Sequence, residues 1–264
     1  MDVFHTDLDR TMIYSYQYDK HSSQQDDRSG KRNVERYQGR EISFLTQRTF
    51  ELLQEVKKHV LIVPTTTRTT EQYERINLGI GTIEYALTCN GGVLLKCGES
   101  DEAWYQRSLE MIKGSRHDLQ IAAVYLQAEK SRLLEVRFIQ DLFLFTKSSA
   151  PESVVANLQG ILDPEQVDVF HNGEKVYVIP KNLNKGTAVA RFREYIGAKK
   201  VYAAGDSIFD YPMLDTADIA LAPSAYHRIC PHLARHIHTM PGKKIFSEEL
   251  LEELLAYQTV TIHQ

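Results

Sequence analysis

Three times along this chain of 264 residues a short apolar run breaks off into oxygen-bearing side chains: Val3 to Thr6 into Asp7, Val60 to Val63 into Pro64-Thr65-Thr66-Thr67-Arg68, and Val201 to Ala204 into Gly205-Asp206. Short runs of this kind, rich in β-branched residues, read as strands buried on both faces, and such strands belong to parallel sheets. Helical periodicity lies between and after them. Phe50, Leu53 and Val56 form one stripe of a helix from Thr46 to about His59, and Glu71 to Ile76 starts another. Ala188, Val189, Phe192, Tyr195 and Ile196 share a face of a helix from Gly186 to Ile196 that Gly197 stops. Ile219 to Leu221 adds a strand, and a last helix starts near Ser247 as N-cap, with Glu248 and Glu249 in its first turn and Leu250, Leu251, Leu254 and Leu255 buried. The pattern is α/β, and open α/β sheets collect ligands at the carboxyl ends of their strands, where the three polar breaks stand.

Other segments depart from this alternation. From Gln17 to Glu41 the chain is very polar and is expected to form a mobile loop near the site. Tyr85 to Leu95 reads as a strand broken by the turn signal Asn90-Gly91-Gly92. From about Glu99 to Pro180 a helical stretch, Trp104 to Ile112, precedes a half-buried antiparallel strand at Leu134, Val136 and Phe138. A hairpin follows, pairing Val167 and Val169 with Val176 and Val178 around Asn172-Gly173. The expected organisation is a core of residues 1–98 and 181–264 interrupted by an α+β insert of residues 99–180. No internal repeat is visible.

Composition removes several function classes. The net charge is −4, from 31 basic and 35 acidic residues that are interspersed, so no basic face for nucleic acid is indicated. The apolar runs are too short to span a bilayer and the polar start lacks a signal peptide's apolar core, so the expectation is a soluble, cytoplasmic protein without a membrane partner. Cys89, Cys97 and Cys230 are too dispersed for a disulfide framework or a zinc cluster and read as reduced structural thiols. His227, His232, His236 and His238 do not form a compact ligand set and read as surface or packing residues; Trp104 and Tyr105 read as core of the insert.

Each polar break carries a piece of one chemistry, and each has a bland alternative. Asp7 and Asp9 can aim one carboxylate at phosphorus while the other exchanges a proton with the leaving group, but a lone Asp-x-Asp is more often a solvated turn. Thr66 can hydrogen-bond a phosphoryl oxygen, or serve as an ordinary loop residue. The Arg68 guanidinium suits phosphate, or a surface salt bridge. Lys185 can neutralise an anion electrostatically, and alone reads as a solvated lysine. Asp206 and Asp210 can flank a hard cation such as Mg²⁺, or form a polar turn.

Taken together, the pieces carry a family likeness. Asp7-Leu8-Asp9-Arg10-Thr11 resembles the first motif of the haloacid dehalogenase (HAD) superfamily of phosphatases, Asp-x-Asp-x-Thr; Thr66 resembles its second, Lys185 its third, and Gly205-Asp206 through Asp210 its fourth. Thr66 to Arg68, Asn90-Gly91, Asn184-Lys185-Gly186 and Gly205 to Ser207 are similar to Cof-type, subclass IIB members, which include sugar-phosphate and mannosyl-phosphoglycerate phosphatases. The resemblance implies a Rossmann-like parallel-sheet core with an inserted α+β C2-type cap. It implies Asp7 as nucleophile and Mg²⁺ ligand, Asp9 as acid/base that also gives its backbone carbonyl to the metal, and Thr66 and Lys185 as phosphoryl-binding groups. Asp206 and Asp210 would complete the metal site, Asp210 as ligand or supporting carboxylate, and Arg68, Asn90 and Gly91 would bind substrate near the core–cap crevice.

Three departures are visible: Arg10 stands where glycine is usual, Phe209 where asparagine is common in this subclass, and the polar segment 17–41 is long. The expected function is Mg²⁺-dependent hydrolysis of a small phosphomonoester, a sugar phosphate or related metabolite, through an aspartyl-phosphate. Two alternatives stay open: a phosphotransferase resembling the phosphomannomutases, and a catalytically quiet binding or regulatory protein on the same scaffold.

Overall fold

The three strand ends meet in one sheet. In the computed structural model, which describes residues 1–18 and 30–262, five parallel strands lie in the order Ile237–Thr239, Ile219–Ala222, Lys200–Ala204, Asp2–Thr6, Leu61–Pro64. Asp2–Thr6 is in register with Lys200–Ala204 on one side and with Leu61–Pro64 on the other. From the first strand the chain steps outward in one direction to Leu61–Pro64 and later in the other through Lys200–Ala204. The crevice between Asp2–Thr6 and Lys200–Ala204 is therefore the topological switch point, the position where α/β sheets bind ligands.

Both faces of the sheet are covered, which explains the unbroken apolar runs. Phe4, Tyr202, Ala204 and Leu221 face a core containing Leu52, Leu53 and Val56 of the helix Gln47–Val56 and Leu250, Leu251 and Leu254 of the helix Phe246–Ile262. Val201, Ala203, Ala220 and Ala222 face the opposite way, onto Val189 of the helix Lys185–Ile196 and Met213 and Leu214 of the helix Tyr211–Thr216. The helix Gln47–Val56 is capped by the Thr46 side chain, which accepts from the Thr49 N–H. The expected final helix begins one residue earlier than Ser247, whose hydroxyl instead meets that of Thr49 at 2.7 Å. The helix expected at Glu71 to Ile76 is a single turn, Thr70–Tyr73, closed by a Thr69/Gln72 capping box. Ile237–Thr239, which contains His238, is a short edge strand of the main sheet.

The polar segment requires a correction. Residues 19–29 lie outside the described residues, but Lys31–Tyr37 and Arg40–Thr46 form an antiparallel hairpin, with Tyr14–Ser15 as a third strand, where a loop was expected. Gln38 and Gly39 both have positive φ, 50° and 75°, as a two-residue hairpin turn of type I′ demands. Val34, Phe44 and Leu45 are buried, and so are two polar residues, Glu35 and Ser43, which pair across the strands and mask the usual alternation.

By contact pattern the chain divides into Met1–Glu99 with Lys185–Gln264, and Ser100–Asn184. The second unit is a four-stranded antiparallel sheet, Val167–Asn172, Lys175–Pro180, Phe143–Lys147, Arg137–Ile139, with the helices Arg116–Ala128 and Pro151–Gln159 packed on one face. The Asn172-Gly173 turn is where the sequence put it, with Gly173 at φ 56°. The strand expected through Leu134, Val136 and Phe138 is confined to Arg137–Ile139, and Phe138 is exposed. Upstream of it the chain is held beside Phe143–Lys147 by an isolated bridge from Arg132 to Ser148 and by the Thr146 hydroxyl donating to the Leu134 carbonyl, so no regular ladder forms. Trp104 is buried and the Tyr105 hydroxyl donates to the Gln140 carbonyl, both within this unit.

Candidate active site

Asp7 extends the first strand by one residue: its N–H donates to the Ala204 carbonyl at 2.9 Å. The chain then curls around the Leu8 carbonyl, which accepts from Thr11, Met12 and Ile13 N–H groups, while Leu8, Met12 and Ile13 are buried beneath it. This curl forces Arg10 to φ 65°, a left-handed conformation that glycine adopts freely and that costs another residue about 1–2 kcal/mol. The departure from glycine in the motif is thus a strained position in this fold, with the Arg10 side chain exposed.

Lys185, the first residue of its helix, is 1 % exposed, and its Nζ lies 2.5 Å from Asp7 Oδ1 and 2.5 Å from Asp210 Oδ1. Asp210 is completely buried, and its other oxygen accepts from the Asp206 N–H at 3.1 Å, the Ser207 N–H at 2.8 Å and the Ser207 hydroxyl at 2.7 Å. It therefore ties the lysine to the loop that carries Asp206. Two glycines permit this closeness. A Cβ on Gly205 would stand 2.3 Å from the Asp210 Cβ, and one on Gly186 would stand 2.3 Å from the Pro212 carbonyl oxygen. Tyr226, also fully buried, donates to the Ser207 carbonyl at 2.9 Å and fixes the loop from behind.

Asp7, Asp206 and Asp210 each offer one carboxylate oxygen within 4.8 Å of the others. Three carboxylates against one ammonium leave an excess of negative charge in a region with little water. Burial raises Asp7 well above the ordinary carboxylate range; Lys185 opposes the rise, and repulsion from Asp210 and Asp206 adds to it. Asp206 is raised to about 7 by burial and by Asp210, against the pull of Arg10 and Lys185. For Lys185, burial works against the charge, but Asp210 and Asp7 outweigh it, so its pKa is raised and the ammonium persists. The set fits a hard divalent cation: all donors are oxygens, they converge, and they lack positive charge.

Asp9 is held differently. Arg68 grips its carboxylate with a two-point fork, Nε to Oδ2 and Nη2 to Oδ1, both 2.7 Å. The guanidinium's other edge meets Glu35, Nη1 to Oε1 at 2.9 Å and Nη2 to Oε2 at 3.1 Å. Burial works against the Arg68 charge, yet its bonds and charge contacts with Asp9 and Glu35 raise its pKa above the ordinary arginine value. The bland reading of Arg68 as a surface salt bridge does not describe this, since the arginine and Glu35 side chains are 13 % and 3 % exposed.

Thr66 is fully buried just past the Leu61–Pro64 strand, and its hydroxyl oxygen accepts from the Arg68 N–H at 3.1 Å, leaving its hydrogen to donate elsewhere. Asn90 is buried in the turn between the strands Tyr85–Thr88 and Val93–Lys96, and its N–H donates to the Thr66 carbonyl at 3.0 Å. Cys89, Asn90 and Gly91 all have positive φ, 52°, 59° and 88°, so strained backbone lies directly against the Thr66 loop. The structure thus joins Asp7, Lys185 and Asp210 in one buried cluster with the half-buried Asp206 beside it, Asp9 with Arg68 in a second, and Asn90 with Thr66 in a third, Gly91 adjoining Asn90 in the same turn. Glu35 and Tyr226 escaped the sequence reading, and Ser207 entered it only as part of the Gly205 to Ser207 likeness, without a role of its own. Ser207 had a signal in its position after Gly205-Asp206; Glu35 had none, because strand pairing alone brings it to Arg68.

The fold is shared with known proteins. Over 97 % of both chains it matches the sucrose-phosphatase from Synechocystis sp. PCC6803, solved with sucrose and phosphate, at TM-score 0.64 and 15 % identity. Over 97 % of this chain and 99 % of the other it matches the HAD subclass IIB sugar phosphatase BT4131 at TM-score 0.61 and 13 % identity. A haloacid dehalogenase-like hydrolase from B. subtilis matches with the same coverage at TM-score 0.57 and 14 % identity. No curated protein sequence matches the chain. The family model for haloacid dehalogenase-like hydrolases matches residues 97–238, more than half of the chain, with Lys185, Asp206 and Asp210 inside the match. The chain belongs to the haloacid dehalogenase-like hydrolase family.

Proposed function

We propose that this chain is a Mg²⁺-dependent phosphatase that hydrolyses a small phosphomonoester, a sugar phosphate or related metabolite, through an aspartyl-phosphate on Asp7. The observation that carries the reading is the buried cluster at the switch point: Asp7 beside Lys185, with Asp206 and Asp210 within reach and too little positive charge for three acids. The sugar-phosphatase names of the structural neighbours support the substrate class.

In the first step an Asp7 carboxylate oxygen attacks phosphorus, the ester P–O bond breaks, and Asp9 gives its proton to the departing alkoxide. Lys185 and the Thr66 hydroxyl contact the phosphoryl oxygens, and the lysine offsets charge that builds on them. In the second step water attacks phosphorus, Asp9 takes its proton, the Asp7–phosphorus bond breaks and inorganic phosphate leaves. Asp210 works as an anchor, because its oxygens are engaged by Lys185 and by the Asp206–Ser207 segment. Asp7, Asp206 and the Asp9 backbone carbonyl would hold Mg²⁺, which supplies the positive charge that keeps both carboxylates ionised and offsets the phosphoryl group's own charge.

The test is direct. Purified protein with MgCl₂ is expected to release phosphate from a panel of sugar phosphates without isomerising the sugar, and Asp7→Asn to abolish release. Cleavage that survives in Asp7→Asn, or no cleavage of any phosphomonoester by the parent, sinks the mechanism; an isomerised sugar phosphate as product would point to a mutase.

A further inference from the structure

We infer that Glu35 is a positioning residue for Asp9, acting through Arg68; the inference rests on the reading of Asp9 as the proton carrier of the phosphatase. Asp9 has a half-exposed carboxylate, 53 % exposed on its side chain, so its orientation depends on what grips it. Arg68 supplies that grip with one edge of its guanidinium. The other edge is set by Glu35, which comes from the hairpin strand Lys31–Tyr37 and is itself held by the Ser43 hydroxyl at 2.8 Å and approached by Arg75 Nε at 3.7 Å.

The construction is over-determined in a way that a simple structural ion pair is not. A guanidinium is planar and rigid, so fixing its Nη1/Nη2 edge on Glu35 fixes the direction of its Nε/Nη2 edge toward Asp9. The pleat is irregular on both sides of Glu35, with register shifts between Asn33 and Glu35 and between Glu35 and Arg36. Such an irregularity re-aims a side chain, here a buried carboxylate toward Arg68. The hairpin is thereby a structural support for a proton-transfer group that lies elsewhere in the sequence. Reaction geometry is sensitive to such support: a misplacement of about 1 Å costs about 10²-fold in rate.

A double-mutant cycle separates this role from general loosening. Glu35→Gln keeps the size of the side chain but sets an amide NH₂ against one guanidinium N–H. With a hexose phosphate and MgCl₂, Glu35→Gln is expected to lower kcat about tenfold while KM moves less than about threefold. With p-nitrophenyl phosphate, whose leaving group needs little protonation, the single-turnover burst of nitrophenolate remains measurable in Asp9→Asn even though hydrolysis of the aspartyl-phosphate is slowed, and there Glu35→Gln is expected to have no further effect on the burst rate. A kcat for Glu35→Gln within twofold of the parent overturns the inference and leaves the phosphatase reading intact. So do losses that multiply in the Asp9→Asn background, because an independent structural effect would add to that of Asp9. If Asp9→Asn itself leaves hexose phosphate cleavage unchanged, the assignment of Asp9 fails and this inference falls with it. Should Glu35→Gln not fold, Glu35→Asp, which withdraws the carboxylate by one methylene, takes its place in the cycle under the same criteria.

Discussion

Gly186→Ala puts two physical effects in opposition, and the structure decides the sign. On helix propensity alone, alanine within the helix Lys185–Ile196 should stabilise by about 1 kcal/mol. The new Cβ, however, would stand 2.3 Å from the Pro212 oxygen and 2.6 Å from its carbonyl carbon, both backbone atoms that cannot swing aside. Ordinary contact begins near 3.4 Å, so the helices Lys185–Ile196 and Tyr211–Thr216 must part by about 1 Å. Overpacking of this kind costs about 1–3 kcal/mol. The separation also acts on the residues adjoining the contact, Lys185 and Asp210, whose 2.5 Å pair would stretch where both are buried. The expected result is a net loss of about 1–2 kcal/mol in urea unfolding at pH 7 and a fall in kcat of about 10²-fold, since Lys185 shifts relative to Asp7. Gly186→Ser, with the same Cβ, should behave alike. A variant as stable as the parent or more so, with kcat within a few-fold, would refute the steric argument and leave propensity as the winning effect.

Addition of MgCl₂ should raise the unfolding midpoint, and near 100-fold saturation the gain corresponds to about 2.7 kcal/mol. Asp206 stands at about 7 and Asp7 is also raised without metal, so protons compete with the cation at low pH; the gain should be larger at pH 8 than at pH 5 and absent in Asp206→Asn. Equal gains at both pH values, or in the variant, would count against the site. Burial pushes the Cys89 thiol up to about 11, whereas Cys97 is exposed. A thiol-specific disulfide reagent at pH 8 should modify Cys97 quickly and Cys89 only when the protein is unfolded. Because the raised thiol binds its proton more tightly in the folded state, its stabilising contribution is present below pH 9 and is lost as pH rises toward 11. Rapid labelling of native Cys89 would contradict its burial.

The parallel core and most of the chemical groups were legible in the residues because they depend on local features. Val3 to Thr6, Val60 to Val63 and Val201 to Ala204 are buried on both faces, so their apolar character is continuous, and the polar residues that end them are adjacent in sequence. The hairpin of residues 31–46 was hidden for the converse reason. Glu35 and Ser43 are inward-facing polar residues, tolerated because each has a partner, and without those partners in view the segment has the composition of a loop. The strand expected from Leu134 failed because alternation describes which way side chains can point and does not say whether a neighbouring ladder is present to pair with.

The order of residues along the chain carries the inventory: carboxylates, a hydroxyl, an arginine and a lysine placed at strand ends and a helix start, on a chain whose periodicity demands a parallel sheet. The folded chain divides them among separate roles. It put Lys185 between Asp7 and Asp210, used Asp210 to bind the Asp206 loop, and committed Arg68 to Asp9 and Glu35. The physical reason is that an ionisable side chain's role is set by the charges and burial around it. Those surroundings come from segments up to 178 residues apart in the chain.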